Sequence, residues 1–321
     1  MKVGVFTPVV GFMPLEEAVP YLASLGVEAL EIGAGGTPGK QLDPEQLLGH
    51  KDKIQAVKDL MKNNNVEIAA LSAHGNPVHP TKEYADRDHH EFMRAVELAE
   101  ELEVDTIVGF SGCPGDCPTS QYPNWVTCTW PDDFPKILEY QWEILVDYWQ
   151  KASAEAASHG IKKIAIEMHP GFCVYNPETM MKLREAVGPI MGANFDPSHL
   201  IWQQVNPVEA IRFLGEKGAI HHFHAKDTRI NKPDCDINGV LCTGSYGDIL
   251  TRPWVFRTIG YGSDVKAWKD MMSMLNAVGY DGIVSIEHED GLMSAREGLE
   301  KAVEFLKSII IKEKPGAMWW V

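Results

Sequence analysis

The chain has 321 residues, 45% of them hydrophobic, and carries a formal net charge of −16 at pH 7. This composition is ordinary for a globular protein, and the length allows one large domain or two smaller ones. The acidic excess argues against nucleic acid and anionic membrane surfaces as partners, since both favour basic patches. It leaves a small neutral substrate open.

Targeting and redox signals are weak. No apolar run reaches the roughly 18 to 20 residues that a membrane helix needs, and the N-terminal strand pattern is not a signal peptide. We therefore expect a cytoplasmic location. In that setting the six cysteines are interpreted as thiols. Cys113, Cys117 and Cys128 resemble a zinc knuckle, but no fourth Cys or His completes its spacing.

Apolar strand patterns alternate with helical patterns along the whole chain. Strands are predicted at 2–7, 27–33, 66–73, 104–111, 162–168, 190–195, 220–226 and 282–287. Helices are predicted at 15–25, 43–64, 87–103, 132–159, 177–187, 207–216, 264–278 and 295–311. Alternation of this kind indicates parallel strands with helical crossovers. Eight such units predict one α/β domain over residues 1–321, a single (β/α)8 TIM barrel.

The alternative fold is an open, doubly wound sheet. Against it, no Gly-x-Gly-x-x-Gly motif follows the first strand, and the glycines at 33–36 alone are a weak signal. Two long loops, Gly112–Pro131 and Thr228–Ser263, leave strand C-termini, where the active sites of such barrels lie. Their aromatic residues, Trp130 among them, predict ordered walls over the site and contacts to substrate. For the tail ending in Trp319 and Trp320, packing on the barrel is the simpler expectation and a subunit contact the alternative.

Four successive predicted strands end in a residue that can bind a metal ion. These residues are Glu167, Asp196, His224 and Glu287. Burying a carboxylate costs several kcal/mol unless it is paired or bound to a metal. One such acid could simply be salt-bridged, but four consecutive strand ends favour a common metal site. Three carboxylates suit Mn²⁺ or Mg²⁺, and the imidazole admits Co²⁺, Zn²⁺ or Fe²⁺.

Strand alternation places these polar side chains on one face. His222, His224 and Lys226 share a face of the seventh strand, while Ile166, Phe195, Phe223 and Ile286 are predicted to face the helices. His224 lies nearer the strand end, so it is the preferred ligand, and His222 is expected one layer below. Glu31, near the end of the second strand, is either buried and functional or paired with a helix.

Further polar residues lie where a substrate would bind. His199 follows Asp196 by three residues, and His74 and His169 lie at other strand ends. His199 is placed to contact substrate or metal, and His74 and His169 are candidate substrate contacts, with a hydrogen-bonded core residue as the alternative for these two. Lys226 and Arg229 either hold substrate oxygens or belong to a solvated charge cluster.

These motifs resemble the xylose isomerase-like barrel superfamily, in the sugar phosphate isomerase/epimerase branch near the D-tagatose 3-epimerases and inosose-processing enzymes. The matching segments are Glu167-Met-His-Pro, Asp196-Pro-Ser-His199, His224-Ala-Lys-Asp227, Ser285-Ile-Glu287-His-Glu-Asp290 and Ala73-His-Gly-Asn-Pro77. The resemblance implies a divalent ion, commonly Mn²⁺, on Glu167, Asp196, His224 and Glu287. It also implies that Glu167 and Glu287 transfer protons, that His199 lies beside the substrate, and that homo-oligomers are common.

The implied activity is that of a metal-dependent isomerase or epimerase acting on a keto-sugar or cyclitol. Proton transfer next to the carbonyl would pass through a metal-bound enediolate. A leaving group one carbon further on would make the enzyme a lyase or dehydratase. Hydrolysis of phosphodiesters, as in the related endonucleases, is disfavoured by the net charge of −16. A non-catalytic sugar-binding or partner subunit is the other alternative. The two long loops favour a substrate larger than a free ketose, such as a keto-sugar glycoside.

Overall fold

The computed structural model describes residues 1–37, 39–313 and 316–321 of the chain. These residues contain ten strands and eleven α-helices. The strands are β1 (Lys2–Phe6), β2 (Ala29–Gly36), β3 (Glu67–His74), β4 (Thr106–Phe110), β5 (Lys163–Glu167), β6 (Met191–Phe195), β7 (Ile220–Ala225), β8 (Asp227–Ile230), β9 (Trp254–Arg257) and β10 (Ile283–Ile286). The helices are α1 (Leu15–Leu25), α2 (Pro44–Leu47), α3 (Lys51–Asn63), α4 (Lys82–Leu102), α5 (Asp133–Ser158), α6 (Pro177–Val187), α7 (Pro197–Trp202), α8 (Pro207–Gly215), α9 (Lys232–Asn238), α10 (Val265–Ala277) and α11 (Ala295–Ile309).

Eight of the strands close into a parallel barrel in the order β1-β10-β7-β6-β5-β4-β3-β2. Helices connect successive barrel strands, so the predicted (β/α)8 barrel is confirmed. All eight predicted strands are present, with ends shifted by up to three residues. In a parallel barrel every strand presents its C-terminal end at the same rim. The residues that follow β5, β6, β7 and β10 are thereby brought together.

The structure differs from the sequence-based expectations in three segments. The helix predicted at 43–64 is two helices, α2 and α3, because Gly49 between them adopts a left-handed φ of 81°. The short helix α7 directly after β6 was not predicted. The loop predicted at 228–263 contains the antiparallel hairpin of β8 and β9, which pairs Asp227 with Arg257 and Ile230 with Trp254.

The apolar core lies between the barrel and the helices. Ile166, Phe195, Phe223 and Ile286 all belong to it, which confirms the strand face predicted to meet the helices. A separate, small apolar group of Ala70, Val108 and Ala165 fills the barrel on the opposite face. These small side chains form an apolar layer beneath the polar residues of the same strands.

The described residues contain no helix both long and apolar enough to cross a membrane. The tail was expected to pack on the barrel surface, but Trp319 and Trp320 are 87% and 67% exposed. Residues 314 and 315 of that tail lie outside the described part of the chain. The six cysteines are free in this structure.

Candidate metal centre at the top of the barrel

The four predicted ligands meet at the C-terminal rim of the barrel. Glu167 ends β5, Asp196 follows β6, His224 lies in β7 and Glu287 follows β10. Each offers one donor atom, and these atoms all lie within 4.8 Å of one another. Glu167, Asp196 and His224 are buried, and the Glu287 side chain is 13% exposed. Three carboxylates and an imidazole are therefore concentrated where each would be costly to bury alone.

Asp196 is oriented by the helix that follows it. Its Oδ1 accepts a hydrogen bond from the Ser198 amide at 2.8 Å, so the side chain caps the N-terminus of α7. The other oxygen, Oδ2, is then directed into the site, 3.1 Å from Lys226 Nζ and 3.4 Å from His199 Nε2. One carboxylate thus serves both the helix and the centre.

Glu167 is held by hydrogen-bond donors on both of its oxygens. His199 Nε2 lies 3.1 Å from Oε1, while Asn194 Nδ2 donates to Oε2 at 3.2 Å and His74 Nε2 lies 3.4 Å from it. Burial alone would raise the pKa of this carboxyl, but the surrounding imidazoles hold it well below its usual range. Glu167 is therefore ionised at neutral pH.

His224 connects two groups of side chains through its two ring nitrogens. Its Nε2 lies 2.7 Å from Glu31 Oε2, whereas its Nδ1 lies 3.0 Å from Glu287 Oε2 and 3.4 Å from Glu167 Oε2. The imidazole therefore faces the candidate ligands with Nδ1. Burial would lower the pKa of His224, but the charges of Glu31 and Glu287 raise it well above the ordinary value.

Glu31 is a fully buried carboxylate on the barrel axis. Its Oε2 accepts hydrogen bonds from His222, His224 and Ser285, at 2.9, 2.7 and 3.2 Å. Of the two alternatives for Glu31, pairing with a helix is wrong, because its partners lie on strands inside the barrel. His222 lies one layer below His224, as expected. A carboxylate on the far nitrogen of a ligand histidine is common in metal sites.

Lys226 is a buried ammonium surrounded by carboxylates. Its Nζ lies 3.1 Å from Asp196, 2.9 Å from Glu287 and 3.0 Å from Glu289. Burial would lower the pKa of Lys226, but these three acids raise it well above its usual value. Lys226 is therefore a buried cation of the site, and the solvated-cluster alternative does not hold for it.

The other predicted substrate contacts divide between the centre and the surface. His74, His169 and His199 lie close to the metal centre. The ring centres of His169 and His199 are 4.1 Å apart. Burial, and then the His199 charge, lowers the pKa of His169 to about 3, so this imidazole is neutral. Arg229 and Trp130 are exposed, and no described contact joins either of them to the centre.

Two residues that contact the centre, Asn194 and Glu289, were assigned no role from the sequence. Asn194 Nδ2 lies 3.2 Å from Glu167 Oε2 and 3.1 Å from His224 Nδ1. Glu289 is the exposed partner of Lys226. Asn194 is two residues before Asp196, and Glu289 is two residues after Glu287. The two-residue period of a strand therefore predicted that both lie on the polar face, but it predicted no role for either.

The donor set fits a divalent metal ion. Donors on opposite sides of an ion at about 2.1 Å stand about 4.2 Å apart, so small side-chain shifts from the observed spacing suffice. Asp196 Oδ2 and Glu287 Oε2 are buried and accept no well-oriented hydrogen bond from the described residues, although Lys226 lies close to both. Lys226 compensates part of their charge, and a divalent ion would satisfy the lone pairs that remain without a well-oriented donor. Glu167, Asp196, Glu287 and Nδ1 of His224 would hold the ion.

Comparison with known proteins identifies the family. The family model described as xylose isomerase-like TIM barrel matches residues 19–309. The chain belongs to this family. It is 38% identical over 315 residues to the uncharacterized protein YfiH of Bacillus subtilis (strain 168), across 97% of this chain and 99% of YfiH. The resemblance predicted from the four strand-end motifs is thereby confirmed.

Solved structures of the xylose isomerase-like fold superpose on nearly the whole chain. The probable 3-DHS dehydratase AsbF of Bacillus anthracis is 16% identical, with a TM-score of 0.68 over 96% of this chain and 99% of AsbF. The IolI protein with a bound zinc atom is 20% identical, with a TM-score of 0.67 over 99% and 100%. A D-tagatose 3-epimerase-like protein is 24% identical, with a TM-score of 0.62 over 96% and 98%. At these identities the likeness shows the fold.

Proposed function

We propose that the protein is a divalent-metal-dependent isomerase or epimerase of a keto-sugar or cyclitol. The observation that carries the proposal is the convergence of Glu167, Asp196, His224 and Glu287, with donor atoms within 4.8 Å, at the rim where barrel enzymes act. The family match and the D-tagatose 3-epimerase-like structure support this reaction class. Mn²⁺ is the proposed ion, since oxygen donors dominate the set.

Proton transfer next to a carbonyl requires a base, an acid and stabilisation of the charge that develops on oxygen. A bound divalent ion would supply this charge stabilisation as a Lewis acid. Glu167 and Glu287 are the two carboxylates proposed to remove the proton and return it. Return to the same carbon gives epimerisation, and return to its neighbour gives isomerisation.

The histidines around Glu167 would position this base and the substrate. His199 Nε2 lies 3.1 Å from Glu167 Oε1, which fixes the carboxylate in one orientation. His169 is neutral and lies beside His199, so its ring can contact a hydroxyl without adding charge. Lys226 would keep the carboxylates compensated and offers its ammonium to a substrate oxygen.

Exchange of substrate hydrogen with solvent tests the proposal. Mn²⁺-supplied protein is incubated in D2O with D-fructose, D-tagatose, D-psicose and an inosose, and deuterium next to the carbonyl is followed by mass spectrometry. We expect incorporation that falls by about 10²- to 10⁴-fold in Glu167→Gln and Glu287→Gln. The control is Glu178→Gln, which changes an exposed acid on α6. Full exchange in Glu167→Gln would refute the acid–base assignment. Absence of bound metal even with Mn²⁺ present would refute the centre and favour a non-catalytic sugar-binding role.

A dehydratase is the second candidate, and it needs the same base. If the carbon beyond the deprotonated one carries a leaving group, the same carbanion expels it, which converts the isomerase into a lyase. The fold shared with the probable 3-DHS dehydratase AsbF motivates this alternative. The same reactions distinguish the two, because elimination changes the product mass by one water and epimerisation does not.

A further inference from the structure

A small cavity lies against the candidate metal centre, at the base of the β8–β9 hairpin. It has a volume of about 130 Å³ and is part of neither the predicted ligand set nor the barrel interior. The residues that line it and matter here are Tyr246, Ile249, Phe256, Arg257, Glu289 and Leu292. They come from β9, from the segment that joins β8 to β9, and from the loop after β10.

The cavity and the metal centre share a wall. Phe256 and Glu289 line the cavity, and both contact Lys226. Lys226 Nζ lies 3.0 Å from Glu289 Oε2 and 4.8 Å from the centre of the Phe256 ring. The same ring lies 5.3 Å from that of His199. A group in the cavity is therefore separated by one side chain from residues that touch Glu167 and Glu287.

The walls combine aromatic faces with charged groups. The rings of Tyr246 and Phe256 are stacked, 5.9 Å apart with planes inclined by 14°. The Arg252 guanidinium lies 4.3 Å from the centre of the Tyr246 ring and donates hydrogen bonds to the Gly244 and Trp254 carbonyls, so this ring is supported although the residue is 62% exposed. Glu289 contributes a half-exposed carboxylate. Arg257 is held by Asp290, 3.0–3.1 Å from its Nε.

Size and chemistry together define the occupant. A volume of about 130 Å³ is close to the roughly 150 Å³ of a protein cavity that accepts benzene, so the enclosed space holds about one unsubstituted six-membered ring. The hydroxyl groups of a sugar would extend past Tyr246 and Leu292, which are 62% and 56% exposed. The apolar side chains of Ile249 and Leu292 suit the C–H groups of a sugar ring, and a carboxylate accepts hydrogen bonds from its hydroxyl groups.

We propose that this cavity is a subsite for a second pyranose ring, carried by the sugar that binds at the metal centre. The preferred substrate class is then a keto-sugar glycoside, which binds more tightly than a free ketose. The placement of the reacting sugar depends on the function proposed above, whereas binding of the second ring in the cavity does not. Leu292 and Tyr246 would determine the specificity for that ring.

The test of the subsite uses a sugar without a carbonyl. Methyl α- and β-D-glucopyranoside are each added to the full chain supplied with Mg²⁺, and binding is measured by saturation-transfer NMR. Leu292→Trp fills the cavity and is expected to weaken binding of the bound anomer by about tenfold or more. Leu250→Trp is the matched control, because Leu250 is 89% exposed, lies in the segment that joins β8 to β9 and does not line the cavity. No binding of either anomer, or equal binding to Leu292→Trp, would overturn the proposal.

A second arm separates the subsite from the catalytic proposal. D-fructose and the glucosyl-fructoses turanose, maltulose and palatinose are compared by calorimetry on the same Mg²⁺-supplied protein. We expect at least one disaccharide to bind about tenfold more tightly than fructose, and Leu292→Trp to remove that advantage while leaving fructose binding unchanged. If the metal centre is wrong, fructose binding is lost but methyl glucoside still binds the cavity. Equal weakening of fructose and the disaccharides would refute a separate subsite.

Discussion

Glu31 and His224 are joined by a 2.7 Å contact between Oε2 and Nε2, on the side of the imidazole away from the candidate ligands. A carboxylate can only accept a hydrogen bond, so Nε2 of His224 carries the hydrogen. Once the second proton has left the imidazole, the lone pair of Nδ1 lies on the side of Glu167 and Glu287. Glu31 thus selects the tautomer that can bind a metal ion, although it belongs to a strand that carries none of the four candidate ligands.

Replacing Glu31 by Gln is expected to weaken metal binding by about 10- to 100-fold. An amide is a poorer acceptor and cannot hold both His222 and His224 as the carboxylate does. Calorimetric titration of chelator-treated protein with Mn²⁺ measures the change. The control is Glu67→Gln, which alters an exposed ion pair with Lys2 and should leave the affinity unchanged. Equal affinities for Glu31→Gln and the parent protein would show that Glu31 does not position His224.

Metal binding is expected to release about one proton per chain at pH 7. Without metal, Glu31 and Glu287 outweigh the effect of burial and raise the pKa of His224 well above its usual value, so the imidazole is protonated. An ion must replace the proton on Nδ1, and the apparent affinity therefore rises as pH rises toward that pKa. Calorimetry in two buffers of different ionisation enthalpy counts the protons. Identical apparent enthalpies in both buffers would contradict the assignment of Nδ1 as ligand.

Lys226→Met is expected to destabilise the metal-free protein by about 3–5 kcal/mol, because removal of one partner leaves buried carboxylates uncompensated. Asp196 and Glu287 are the acids most affected, and a divalent ion bound between them would restore much of the loss. Urea unfolding with and without Mn²⁺ measures both effects. Lys82→Met, which breaks the exposed pair with Asp86, should change stability by less than about 1 kcal/mol. A loss that Mn²⁺ does not reduce would place the ion elsewhere.

Asp227→Asn is expected to lower the free energy of unfolding by about 3 kcal/mol. The Asp227 carboxylate accepts hydrogen bonds from the amides of Gly260, Gly262 and Ser263 and from the Trp268 indole, so it ties the hairpin to α10. An amide nitrogen in place of one oxygen would face these donors. Chemical denaturation measures the loss, with Asp248→Asn in the exposed loop as the control. A wild-type unfolding curve for Asp227→Asn would show that the turn does not need the charge.

The alternation of strand and helix patterns was enough to predict the barrel, and the ends of four apolar runs were enough to predict the four residues at its rim. Glu167, Asp196, His224 and Glu287 are each encoded locally, by an acid or imidazole where an apolar run ends. The pairing of Glu31 with His222 and His224 is not local, since about 190 residues separate them. It depends on how β2 and β7 are placed when the barrel closes, which the pattern of a single strand does not specify.

The β8–β9 hairpin is a second feature that depends on residues distant in the sequence. Trp254, Val255 and Phe256 form a strand because they pair with Arg229, Thr228 and neighbouring residues across an insertion of more than twenty residues. Such a pairing leaves no short-range turn signal, and the segment was therefore predicted as a loop. That its aromatic residues form ordered walls was nevertheless predictable, since a disordered linker rarely contains so many.

Burial of the centre has a consequence for how any preparation of the protein should be interpreted. Among the four candidate ligands only Glu287 exposes more than a few per cent of its side chain, at 13%. An untreated sample is therefore expected to retain the ion that was present when the chain folded. Chelator treatment, followed by measurement of the remaining metal, is needed before one chosen ion is added.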